Sequence, residues 1–167
     1  MQKTKVAIVK CDSYNREQVQ NAVSKCIELC GGMTQFIKPD SKVIIKPNLL
    51  APKTVDKAVT TNPEIIFAIG NIIKKYTSTI LIGDSPGYGS AIKVMEKCGI
   101  AKVIRELKTV EMINFKNSKK IKYDNLLSSF ELSSDCLDAD HVINIAKLKT
   151  HAQMVMTLEV KNIFGCV

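Results

Sequence analysis

The sequence predicts an α/β fold: an open, mostly parallel sheet with helices on both faces, in a three-layer α/β/α arrangement. Three observations predict it. Short continuous apolar runs bounded by polar residues, at 6–9, 42–46, 79–82 and 141–146, read as strands buried on both faces. Between them lie segments whose apolar positions recur every three or four residues, as amphipathic helices require. The two signals alternate along the chain, and that order builds a parallel sheet through helical crossovers.

The elements follow in order. Val6 to Val9 is an apolar run between lysines and is expected to be the first strand. From Asn15, the positions Val19, Ala22, Val23, Cys26, Ile27 and Cys30 lie on one helical face, and Gly31-Gly32 supply a stop. KVIIK at 42–46 is a buried strand ended by Pro47, which removes a ladder donor. A helix starts in TTNPE at 60–64, in one of two ways. Either Thr61 caps it with Glu64 completing a capping box, or Asn62 caps it with Pro63 at the first helical position. It continues to about Tyr76.

Thr79 to Ile82 is the next strand, and the turn Gly83-Asp84-Ser85-Pro86-Gly87-Tyr88-Gly89 leaves it. Helices are expected from about Ser90 to Cys98, stopped by Gly99, and from Ile100 to Leu107; a strand follows at Val110 to Phe115. Asn117 to Ser134 reads as a hairpin, and His141 to Ala146 as the last strand. Met154 to Lys161 alternates like a strand yet is apolar nearly all round as a helix. Gly165 as a stop favours the helix, and in both cases Thr157 and Lys161 share a face.

With 167 residues, 46% of them hydrophobic, the chain is long enough for one α/β domain spanning 1–167, expected to form part of a longer architecture. The apolar runs are too short to span a bilayer, and the first residues lack the apolar stretch of a signal peptide. Six cysteines in such a chain are expected to be free thiols in the cytoplasm. Cys26 and Cys30 at i, i+4 read as small buried hydrophobes rather than metal ligands, and no metal site is expected. The net charge of +8 is compatible with an anionic partner. The densest basic cluster, Lys116 to Lys122, has little aromatic interleaving, a poor footprint for nucleic acid.

Ligands of open parallel sheets bind beyond the carboxyl ends of the strands. That rule collects three polar clusters: Lys46 and Asn48; Asp84, Ser85 and Gly87; and Asn144, Lys147, Lys149 and His151. Thr61 at a helix start, and Lys161 and Asn162 near the C-terminal end, complete the set. Lys46, Asn48, Lys147, Lys149 and Lys161 suit a phosphate or carboxylate, with Thr61, Ser85, Gly87 and Asn162 adding polar contacts. Asp84 and His151 are the candidate acid–base residues. The glycine-rich turn is neither a Walker loop nor a dinucleotide fingerprint.

KPNLL at 46–50, TTNPEII at 60–66, GDSPG at 83–87 and INIAKLKTHAQMVMTLEVKNIFG at 143–165 together resemble the domain-of-unknown-function family numbered 362. The resemblance implies a protein that is often longer, with a ferredoxin-like iron–sulfur module after this domain and an iron–sulfur cluster as cofactor. The ferredoxin ligand pattern C-x2-C-x2-C-x3-C-P does not occur in this sequence. The function expected is binding of a small anionic ligand, as the substrate-binding part of an iron–sulfur-linked redox protein. The alternative is a non-catalytic interaction module that self-associates through its C-terminal segment as a homo-oligomer.

Overall fold

A computed structural model describes residues 4–122, 129–151 and 155–167. Helix α1 spans Arg16–Leu29, capped by Asn15, whose Oδ1 accepts from the backbone N–H of Glu17 and Gln18 at 3.0 and 3.3 Å. Gly31 and Gly32, both at positive φ, end it as expected. Strand β1 is Val43–Pro47, buried throughout. Helix α2, Pro63–Ile73, resolves the choice of start: Asn62 is the cap, accepting from Glu64 N at 2.9 Å, with Pro63 at the first position. It ends three residues before the expected Tyr76.

Strand β2 (Ile80–Ile82) is followed by α3 (Ala91–Lys97), α4 (Ile100–Leu107) and β3 (Val110–Met112). β4 (Ser118–Ile121) and β5 (Phe130–Ser133) pair antiparallel as the expected hairpin, whose residues 123–128 lie outside the described set. The short helix α5 (Ser134–Leu137) leads into β6 (His141–Ile145). β7 (Lys149–His151) pairs antiparallel with β8 (Val155–Thr157). Helix α6 (Glu159–Ile163) and a terminal turn, Phe164–Cys166, close the chain.

The main sheet is all parallel, in the order β3-β2-β1-β6, and is flanked by helices, the α/β architecture the alternation predicts. Its core gathers Val43, Ile45, Ile80 and Ile82 from the strands with Ile66, Ile73, Ile100, Ile104 and Leu107 from α2 and α4. Arg16 joins α1 to this layer. Its guanidinium grips the carboxylate of Glu64 at 2.7 and 3.1 Å, reaches Glu106 at 2.5 Å and lies 4.1 Å over the Phe67 ring.

Two expectations need correction. Val6 to Val9 forms no strand, and Val6 and Ile8 are 83% and 91% exposed. An apolar run carries no information about which edge it joins; β1 already has β2 and β6 as neighbours, and the run lies outside every ladder. Within Met154 to Lys161, Val155–Thr157 is strand and Glu159 onward is helix, broken at Leu158, which is extended (φ −140°, ψ −167°). Met154 lies outside the described residues.

Candidate functional site at the carboxyl edge of the sheet

The parallel register sets Ile45 beside both Ile82 and Ile143, and Lys46 beside Asn144. The backbone of Gly83 continues this pairing by donating to Ile45 O at 3.2 Å. Three strand ends thus deliver Lys46, Asp84 and Asn144 to one level of the molecule.

Lys46 is fully buried, and its Nζ donates to Asp84 Oδ1 at 2.5 Å. Asp84, 3% exposed, accepts from the Leu49 N–H at 2.8 Å on its other oxygen. Burial pushes the Asp84 carboxyl above its usual range, opposed by the Lys46 ammonium and by the N–H groups of Leu49 and Ser85. The pair is roofed by the terminal turn. A Cβ on Gly165 would stand 2.7 Å from Lys46 Nζ and closer still to Asp84 Oδ1, so only glycine lets the backbone approach.

Asn162, buried on α6, links this roof to the strand ends. Its Oδ1 accepts from Asn48 Nδ2 at 2.8 Å, while its Nδ2 donates to Asn144 Oδ1 at 2.7 Å and Pro47 O at 3.3 Å. Asn144 Nδ2 in turn donates to Glu159 O at 2.9 Å. Thr61 is buried as a bridge, accepting from Asn48 N at 2.9 Å and donating to Ile145 O at 2.7 Å. Its hydroxyl is therefore engaged in holding β1 to the end of β6.

Beside this network opens a cavity of about 490 Å³, whose lining includes Asn48, Lys57, Lys149, His151, Thr157 and Lys161. Three lysines and a histidine face it, and no carboxylate side chain lines it among the described residues. Lys149 Nζ donates to Val59 O at 2.6 Å, and burial, followed by repulsion from Lys161, holds its ammonium below the usual lysine range. The buried atoms Asn48 Oδ1 and Thr157 Oγ1 have no hydrogen-bond partner among the described residues. Burying such groups unpaired costs about 1–3 kcal/mol each, and both belong to residues of the cavity lining.

Other expected residues lie elsewhere. Lys147 Nζ turns away to donate to Tyr14 OH at 3.3 Å and sits 5.7 Å over that ring. Ser85 and Gly87 are exposed on a loop that packs on the Leu50 segment, with Tyr88 N donating to Leu50 O at 3.1 Å. The helix after this loop, α3, takes its N-terminal cap from Ser90 Oγ, which accepts from Lys93 N at 3.3 Å. Sequence reasoning did not single out Lys57 or Val59 for the cavity; their loop carries no periodic signal. For Thr157 the signal was its shared face with Lys161.

An iron–sulfur cluster needs a set of thiolates. Among the described residues, no three of the His, Cys, Asp and Glu side chains gather where they could hold a metal ion. Cys136 and Cys166 form a close pair, with their Sγ atoms 3.4 Å apart. The described residues thus do not fit a cluster.

These features define an α/β protein with a parallel-sheet carboxyl edge that holds a buried ion pair and a lysine-lined cavity. By its match over residues 43–167, the chain belongs to the family described as Domain of unknown function (DUF362). It is similar to a thylakoid-associated protein of Synechocystis sp., 34% identical over 162 residues, which cover 97% of this chain and 50% of that protein. The chain thus spans about half the length of that relative. No solved structure matches it. Among the described residues, no helix is long and apolar enough to cross a membrane.

Proposed function

We propose that the cavity at the carboxyl edge binds a small anion bearing a phosphate or carboxylate group. The observation that carries this reading is three lysines, Lys57, Lys149 and Lys161, around one cavity whose lining, among the described residues, has no carboxylate side chain. Lys149 and Lys161 repel one another, a cost that an anionic ligand reverses, while Lys57 is held by Asp56 at 3.4 Å on its own loop. Asn48 and Thr157 offer an acceptor and a hydroxyl to the polar part of such a ligand, and His151, in the same lining, is positioned to hold or move a proton. Asp84 acts through Lys46 rather than on the ligand, since the ion pair occupies it.

The test is calorimetric titration with inorganic phosphate and with small mono- and dicarboxylates. Saturable binding that weakens in Lys149→Ala and Lys161→Ala supports the reading; binding indifferent to both substitutions removes it. The wider reading takes this cavity as the substrate-binding part of an iron–sulfur-linked redox protein, acting in the cytoplasm with a ferredoxin-like module. It draws on the family resemblance. Its check is electron transfer from a reduced ferredoxin to an anion bound by this chain, and no transfer with the anion saturating would end it.

A second reading, a homo-oligomeric interaction module, is favoured by the exposed apolar side chains of the C-terminal region. Leu148, Val155, Val160 and Phe164 are each more than 60% exposed. Sedimentation as a concentration-independent monomer, unchanged by Val160→Lys and Phe164→Lys, would exclude it.

A further inference from the structure

The terminal turn that roofs the Lys46–Asp84 pair carries a second feature that anion binding does not use. Cys166, buried in that turn, meets Cys136 of α5, with the two Sγ atoms 3.4 Å apart. They are separated by 30 residues of sequence, so the contact is made by the fold rather than by local chain geometry. Cys136 is half-buried and Cys166 buried. The other four thiols differ in setting. Cys11 donates to Ser13 O, Cys98 is buried and donates to Met95 O, and Cys26 and Cys30 lie one turn apart around the end of α1.

We propose that Cys136 and Cys166 are a site of reversible oxidation, whose disulfide ties the terminal turn to α5 and fixes it over the Lys46–Asp84 pair. Gly165, the residue adjoining Cys166, is the one whose backbone lies against that pair, so a cross-link at Cys166 acts directly on the roof. Two features of the contact favour the exchange. The Cys136 thiol donates to Cys166, which together with the nearby Lys46 ammonium holds the Cys166 thiol below its usual range. The same hydrogen bond, with burial, holds the Cys136 thiol high, so the pair prefers to share one proton.

The oxidant is a small-molecule disulfide. Cys136, the more accessible residue of the two, passes its proton to the Cys166 sulfur it is hydrogen-bonded to as it attacks one sulfur of the oxidant; a thiolate leaves and a mixed disulfide forms. Cys166 Sγ then attacks Cys136 Sγ and displaces the second thiolate. The two cysteine protons end on the two released thiols, and two electrons pass from the protein to the oxidant for each cross-link.

The inference does not depend on the anion reading, because its readout is a covalent mass. The intact chain is equilibrated with oxidised and reduced glutathione, remaining thiols are alkylated, and the digest is mapped by mass spectrometry. In the native chain the Cys136–Cys166 peptide should exceed every other pairing about tenfold, because the fold raises the effective concentration of one thiol at the other. Oxidation in urea should abolish that preference, and Cys136→Ser or Cys166→Ser should remove the cross-link. Glutathione adducts on other cysteines with Cys136 and Cys166 both still alkylatable, or the same mixture of pairings with and without urea, would overturn it. The wild-type comparison decides the matter even where a serine variant folds poorly.

Discussion

Two groups of charge lie side by side at the carboxyl edge, and they are opposite in design. Lys46 and Asp84 are buried, matched one to one, and supported by the Leu49 N–H and the close backbone of Gly165. Lys57, Lys149 and Lys161 surround an open cavity whose lining, among the described residues, holds no carboxylate. Sequence position treats Lys46 and Lys149 alike, as lysines at strand ends. Burial separates them: a sealed, matched pair holds structure together, whereas gathered cations beside unpartnered buried oxygens have electrostatic capacity left for a ligand.

The difference can be broken from its stronger side first. Lys46→Met leaves the Asp84 carboxylate buried without its counter-ion and is expected to cost about 3–5 kcal/mol in urea unfolding. Replacing both residues by apolar ones of similar volume should restore most of that loss, because neither charge is then stranded. Gly165→Ala comes next. Its methyl must displace the Lys46 ammonium or the terminal turn, with an expected loss of about 1–3 kcal/mol by the same measurement.

On the cavity side the expected stability effects are small and the binding effects larger. Lys149→Ala loses the hydrogen bond to Val59 O but also relieves a partly buried ammonium, so unfolding stability should change by no more than about 1 kcal/mol while phosphate binding weakens. The pH dependence gives the signature of this lysine. Because its folded pKa is lowered, the native state binds fewer protons at this site than the unfolded chain between the folded value and the ordinary lysine value. This group's contribution to stability therefore rises with pH across that window. Anion affinity runs the other way, falling as Lys149 loses its charge. Unfolding and titration series through the alkaline range should show these opposed slopes in wild type and lose them in Lys149→Ala.

The helices were legible because their signals are local. Asn15, Asn62-Pro63 and Ser90 act as the caps their residue types predict, and Gly31 and Gly99 take the positive φ that ends or joins helices. β1 and β2 were readable as buried apolar runs, whereas β3 and β6, at the two edges of the sheet, are only partly buried; the parallel order brings Lys46, Asp84 and Asn144 to one edge. Val6 to Val9 carries the same run and joins no ladder, since hydrophobicity does not name a partner strand. The pairing of Lys46 with Asp84 was not legible, because 38 residues separate the partners and each alone reads as a ligand-facing group. The same holds for Cys136 and Cys166. The C-terminal segment stayed ambiguous because it is strand and helix in succession, with the break at Leu158 unmarked by glycine or proline.

The most direct measurement is the thermal midpoint as a function of inorganic phosphate, in wild type and in Lys149→Ala/Lys161→Ala. A ligand that binds only the native state raises the midpoint with concentration. Wild type should rise with phosphate, and the double variant should start from nearly the same midpoint and stay flat. A wild-type midpoint that does not move, or a double variant that rises in parallel with it, would contradict the assignment of this cavity to an anion.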